Sequence, residues 1–218
     1  MNNLDGIASL FIACIEIVLF VNLIVFADKN KKNLLVFLII LLLAVYQTLE
    51  YLICGIGMKS SFIAYLAFAV ISFLPPLSFL LVISHLKFKS RLKPLMFLPA
   101  LFFVIYYSSV INQFTVVKCS VLYAAYNYPL GTLYGLFYYL PIFISFVLLV
   151  NNYKNTGRQT RLLIIGHYFI IIPVIVSFIL LLLNLPVLLQ SIESILCKFA
   201  FVYAVVLAFF ALNNRNIK

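Results

Sequence analysis

Three charged residues fall deep inside apolar runs of this 218-residue sequence: Glu16, Glu50 and Lys198. A charge at mid-bilayer costs about 2.5–3.5 kcal/mol on insertion scales, so each one implies a partner, a water-filled cavity or a route to the interface. Helical spacing groups polar residues around them. Gln47, Glu50 and Cys54 are three and four apart, as are Ser191, Ser194 and Lys198, while Asp5, Ser9 and Glu16 share one stripe. Glu50 lies near one end of the second apolar run, Lys198 about two turns into the last and Glu16 about three turns into the first. This pattern predicts an acid, base, acid cluster of Glu16, Gln47, Glu50 and Lys198 in one half of a helix bundle. Two chemistries fit it. One is a site for a ligand, ion or proton; the other is a buried ion pair that orients helices, with the Lys198 and Glu50 stems reaching toward the interface.

Other chemistries lack their residues. There are two histidines, His85 and His167, and no His-Glu-x-x-His, so no metal site is expected and both are expected near an interface. No Gly-x-Ser-x-Gly, no phosphate-cradling glycine loop and no adjacent paired carboxylates occur, which leaves no catalytic residue to name. Cys14, Cys54, Cys119 and Cys197 form no C-x-x-C. Cys54 and Cys119 fall on the same side, where an oxidising compartment could join them, but isolated buried thiols are the commoner fate and are the expectation.

The elements that must position these residues follow from composition. Hydrophobic residues make up 66% and charged residues 9%, with mean hydropathy +1.21. A soluble domain is near half apolar and a quarter charged, so this chain belongs in a bilayer. Runs broken by charge, Pro, Gly and Asn give seven candidate spans, 4–26, 33–54, 62–86, 94–111, 130–150, 162–184 and 192–212, in a single domain. The expected class is all-α, a polytopic seven-helix bundle; runs beyond twenty residues without alternation exclude barrel strands. The fourth span is the weakest, with Pro94 and Pro99 near its start and Tyr106, Tyr107, Ser108 and Ser109 near its end. Met1 to Asp5 carries no Lys or Arg and no cleavage site follows, so the first span is expected to be a retained helix; no lipidation box is present.

Basic residues segregate by alternate loops. Lys29, Lys31 and Lys32 follow span 1, Lys87, Lys89, Arg91 and Lys93 follow span 3, Lys154, Arg158 and Arg161 follow span 5, and Arg215 and Lys218 follow span 7. Lys59 and Lys118 alone fall in the opposite loops. This bias predicts the N-terminus outside and the C-terminus in the cytoplasm. The net charge of +10 is thus a topology signal that favours contact with anionic membrane lipid. No nucleic-acid binding is expected, because the charges sit in short loops without an aromatic-interleaved platform.

The longest outer connection, 112–129, carries Tyr123, Tyr126 and Tyr128; an interfacial aromatic belt is expected there in preference to a ligand lid. Pro75-Pro76, Pro141 and Pro173 predict interruptions of spans 3, 5 and 6. A lysine in the last of seven helices resembles the Schiff-base lysine of retinal proteins. The acid here lies five residues before it, span 3 has no carboxylate and there is no Trp, so no retinal or other cofactor is expected.

The stretches Phe73-Leu74-Pro75-Pro76-Leu77-Ser78-Phe79, Gly131-Thr132-Leu133-Tyr134-Gly135-Leu136 and Gly157-Arg158-Gln159-Thr160-Arg161-Leu162 resemble the seven-helix membrane sensor region at the N-terminus of many bacterial histidine kinases. Gln47-Thr48-Leu49-Glu50 and Ser194-Ile195-Leu196-Cys197 also resemble small uncharacterised prokaryotic seven-helix membrane proteins with Gln-x-x-Glu in helix 2 and Ser-x-x-Cys in helix 7, although the Trp expected near both motifs is missing. The resemblance implies a prokaryotic membrane sensor or ligand-binding module. Six residues follow span 7, so the expectation is that any signal passes to a separate cytoplasmic or membrane partner. A transporter or channel for a small solute or ion is the alternative, disfavoured by cytoplasmic halves that read as apolar apart from Asn22 and His167.

Overall fold

A computed structural model describes residues 5–88, 93–153, 157–183 and 192–214. The basic residues Lys89, Arg91, Lys154, Arg215 and Lys218, the start of span 1 at Leu4, and Ser191 of the polar stripe lie outside them. Among the described residues eight α-helices follow in chain order: α1 Ile7–Phe26, α2 Lys31–Cys54, α3 Ser61–Ser72, α4 Leu74–His85, α5 Leu98–Ser109, α6 Gly131–Asn151, α7 Arg158–Leu182 and α8 Ile192–Asn213. Between α5 and α6 lies an antiparallel hairpin of β1 Thr115–Cys119 and β2 Ala124–Asn127, with its register shifting between Val116 and Lys118. The bundle is all-α as expected, and this short hairpin is an addition that was not expected. The β-branched run Thr115-Val116-Val117 is a short strand signal that a reading for twenty-residue runs passes over.

Helix boundaries follow local chemistry. Asn30 caps α2, its Oδ1 accepting from the Asn33 amide at 2.9 Å. Ser60 caps α3 through the Phe62 amide at 3.3 Å. Pro75 and Pro76 sit in the first turn of α4, where a missing amide costs nothing, so the helix breaks at Phe73 and restarts. α6 and α7 run on through Pro141 and Pro173.

With α3 and α4 counted as one interrupted segment, six helical segments among the described residues are long and apolar enough to cross a membrane, and the stretch Leu95–Ser109 is shorter. The chain is a multi-pass membrane protein. Its outward surface agrees: on α1 only Ser9, Ala13, Glu16 and Leu23 are buried, a single stripe, whereas Phe11, Val18, Val25 and Phe26 are exposed. The α3–α4 segment is the most enclosed of the six.

Hydrogen bonds identify which helix ends meet. At one end, here the cap end, the Gly6 amide donates to the Ser120 carbonyl, the Ser61 hydroxyl to the Phe114 carbonyl, the Tyr107 hydroxyl to the Pro129 carbonyl and the Ala124 amide to Ser194 Oγ. At the other, the basic end, Asn214 Nδ2 donates to Asn33 Oδ1 at 2.9 Å and to Asn30 Oδ1 at 3.2 Å, and His85 Nε2 lies 2.8 Å from Thr160 Oγ1. The hairpin is anchored from below by rings. Phe68 packs edge-on against Phe114, Tyr107 and Tyr126, and Tyr128 stacks on Phe114. Tyr126 is therefore core and not part of an interfacial belt, which corrects that expectation for this residue.

Gly166 sets how closely α7 and α8 approach, because a Cβ there would stand 2.7 Å from Cδ2 of Tyr203. Gly166→Ala is expected to destabilise the bundle by about 1–3 kcal/mol through overpacking. Equilibrium unfolding in mixed micelles checks this; an unchanged midpoint would show that the two helices part freely.

Candidate functional site

Three helices deliver polar side chains to one level beneath the hairpin. α1 supplies Ser9, α2 supplies Gln47 and Glu50 one turn apart, and α8 supplies Ser194 and Lys198 one turn apart. Lys198 Nζ donates to Glu50 Oε1 at 2.7 Å, to Gln47 Oε1 at 2.7 Å and to Ser9 Oγ at 2.8 Å. These use all three ammonium hydrogens. Glu50 Oε1 also accepts from Ser9 Oγ at 2.8 Å, and Oε2 accepts from Ser194 Oγ at 2.9 Å. Gln47 Nε2 donates to the Cys197 carbonyl at 3.1 Å, fixing the amide so that its oxygen faces the lysine. Ser194 Oγ in turn accepts from the Ala124 amide of β2 at 3.1 Å, so the hairpin is wired into the cluster.

The pair is buried unevenly: the Glu50 side chain is 1% exposed and that of Lys198 14%. Charge-assisted bonds of this length in a low-dielectric interior are strong, and the many partners offset the cost of taking two ions out of water. Glu16 behaves differently. It is fully buried, within electrostatic reach of Lys198, yet neither carboxyl oxygen has a hydrogen-bond partner. The structure thus brings Gln47, Glu50 and Lys198 into contact and places Glu16 beside them without joining it.

Ser9 and Ser194 complete the cluster and were legible as stripe positions. The cap was not. A disulfide joins Cys54, four residues beyond Glu50 on α2, to Cys119 at the end of β1. This overturns the expectation of isolated thiols for that pair; Cys14 and Cys197 are the free cysteines. Gly6 fits against the same corner, at φ +72°, where a Cβ would meet the Gly55 amide nitrogen at 3.0 Å and Cys54 Cβ at 3.1 Å. The hairpin is therefore tied to α1 by backbone bonds, to α2 by a covalent bond and to α8 through Ser194.

A second polar layer lies toward the basic end. Ser78 Oγ of α4 is 2.7 Å from the Tyr203 hydroxyl of α8 and 3.1 Å from His167 Nε2 of α7. His167 Nδ1 is 2.9 Å from the Leu163 carbonyl, which only accepts, so Nδ1 carries a hydrogen. His167 is fully buried, which corrects its expected interfacial place. The reason is the helix start: α7 begins at Arg158, a turn before the expected span, and carries His167 about 13 Å inward. Between the two layers is a cavity of about 30 Å³ lined by Leu43, Pro75, Ser78, Cys197 and Tyr203 among others. Neither Glu50 nor Lys198 lines it; the Glu50 carboxylate is enclosed by its own partners, while the Lys198 side chain keeps partial exposure.

Among the described residues no group of three His, Cys, Asp or Glu side chains is placed to hold a metal. Compared with known proteins, the chain matches no family model, no curated protein and no solved structure. The functional reading therefore stands on the geometry.

Proposed function

We propose that the chain is a small integral-membrane sensor or ligand-binding module whose receiving site is the Glu50–Lys198 cluster under the hairpin. The N-terminus and the hairpin then face outside and the basic end faces the cytoplasm and its anionic lipid, as the loop charges require, with α5 as a short pass. The observation that carries this reading is a connection at both ends of the same two helices. α2 and α8 hold the outer ion pair, and near the basic end they hold each other through Asn33 Nδ2 to the Ala211 carbonyl at 3.2 Å and Asn214 Nδ2 to Asn33 Oδ1 at 2.9 Å. A stiff helix pair fastened at both ends converts a change in the outer fastening into a shift at the inner one, where a separate signalling partner would read it.

The test is a distance between α2 and α8 near the basic end. Spin labels on Leu34→Cys and Phe209→Cys, both outward-facing positions, would be compared by pulsed EPR in a Cys14→Ser background with Glu50 intact and with Glu50→Gln. A displaced or broadened distance distribution is expected on losing the carboxylate. An identical distribution in a folded Glu50→Gln protein would defeat the sensor reading.

A carrier or channel for a small solute or ion is the second reading, and the Ser78–His167–Tyr203 layer favours it. Asn33, Ser78, Thr160 and His167 are all buried in the half that reads as apolar in sequence, so the polarity argument against a through-path no longer holds. Ion or solute flux into proteoliposomes, abolished by His167→Ala, would decide for this alternative.

A further inference from the structure

Resting on the sensor reading, the geometry points to the ligand class: a small primary ammonium cation that takes the place of the Lys198 head group between Ser9, Gln47 and Glu50. Three oxygens, Ser9 Oγ, Gln47 Oε1 and Glu50 Oε1, stand 2.7–2.8 Å from one nitrogen. That arrangement matches a three-donor ammonium of fixed polarity. The present occupant sits at the end of a flexible lysine stem, and its side chain is the more exposed member of the pair.

A displaced lysine needs somewhere to put its charge, and Glu16 provides it. Ser9 and Ser194 bind the same carboxylate, so α1 and α8 are level at those residues. Counting at 1.5 Å per residue, Lys198 lies about 6 Å and Glu16 about 10 Å inward of that level. The difference is within the sweep of a lysine side chain, and α1 packs directly on α8. Both Glu16 oxygens are buried without a partner in the closed form. An incoming R–NH3+ thus exchanges one ammonium for another at Glu50 while Lys198 moves to Glu16. At Glu50 one ammonium replaces another without proton transfer; the buried, unpartnered Glu16 carboxyl releases its proton to solvent as Lys198 arrives, so each carboxylate ends beside a cation.

Replacing the tether by an empty space tests the site directly. Lys198→Ala, full chain in lipid nanodiscs, is titrated with methylammonium chloride and followed by thermal unfolding. A saturable rise in midpoint is expected, absent with tetramethylammonium at equal ionic strength because it has no N–H donors, and absent in the Glu50→Gln/Lys198→Ala protein. No rise in Lys198→Ala overturns the site, and so does an equal rise with tetramethylammonium. In the wild type, methylammonium is expected to raise labelling of Lys198 by an amine-selective reagent several-fold relative to Lys118; unchanged labelling overturns displacement. That second arm also decides the matter should Lys198→Ala not be recoverable. If the spin labels report coupling while methylammonium fails both arms, the ligand class falls and the sensor reading stands; binding without coupling gives the reverse.

Discussion

Glu50→Gln is expected to destabilise the protein by about 3–5 kcal/mol, and Lys198→Met by a similar amount, because each leaves one ion buried without its counter-charge. The losses differ in detail. Without the carboxylate, Lys198 retains Gln47 and Ser9 but faces a neutral amide, and the Ser9 and Ser194 hydroxyls lose a charged acceptor. Without the ammonium, Glu50 retains those two hydroxyls but no counter-charge in contact. The double variant Glu50→Gln/Lys198→Met is expected to lose markedly less than the sum, since no uncompensated charge remains. A double-mutant cycle on reversible unfolding in bicelles measures the coupling. Additive losses would mean that the two groups do not sense each other, in conflict with a 2.7 Å contact. If the double variant regained stability and kept any ligand response unchanged, the pair would be an orienting device and nothing more.

Reduction of Cys54–Cys119, or Cys119→Ser, is expected to cost about 2–4 kcal/mol, the usual range for a disulfide. The bond spans 65 residues of sequence and is the covalent link between the hairpin and the helix bearing Glu50. Its loss should act locally first. Hydrogen exchange at the hairpin amides, Ala124 above all, is expected to speed up before the transmembrane helices respond, because the Ala124 amide is held by Ser194 only while the cap is seated. Exchange that is indifferent to reduction would show that the aromatic packing around Phe68 and Phe114 seats the hairpin unaided.

These two results bear on one cluster from opposite directions. The ion pair fastens α2 to α8 within the bundle, whereas the disulfide and the Gly6 contacts hold the cover over it. A sensor of the proposed kind needs the cover to yield more readily than the pair.

Much of the architecture was legible because a bilayer imposes long apolar helices and prices every interior charge. The segment boundaries 33–54 and 192–212 lie within two residues of α2 and α8, and the weakness of the fourth span appears as the short α5. Periodicity alone put Gln47 with Glu50 and Ser194 with Lys198, and the scarcity of charges made their pairing the economical outcome. The break at Phe73 was readable from Pro75-Pro76, since a proline ring has only one comfortable place in a helix.

Tertiary structure decided what depends on distance between elements remote in sequence. That Cys54 meets Cys119, that Ser78 meets His167 and Tyr203, and that Asn33 reaches Asn214 follow from how helices pack, and no local period encodes them. The hairpin escaped for a related reason: two strands of five and four residues gain their stability from Phe68, Phe114 and Tyr128 below them more than from their own composition. The sequence by itself determined that the chain is a membrane bundle with an acid and a base facing inward, because burial of charge in lipid is costly at the level of the single residue. Whether that pair is open or closed, and that Glu16 is left without a partner beside it, only the packing of three helices under a cap could decide.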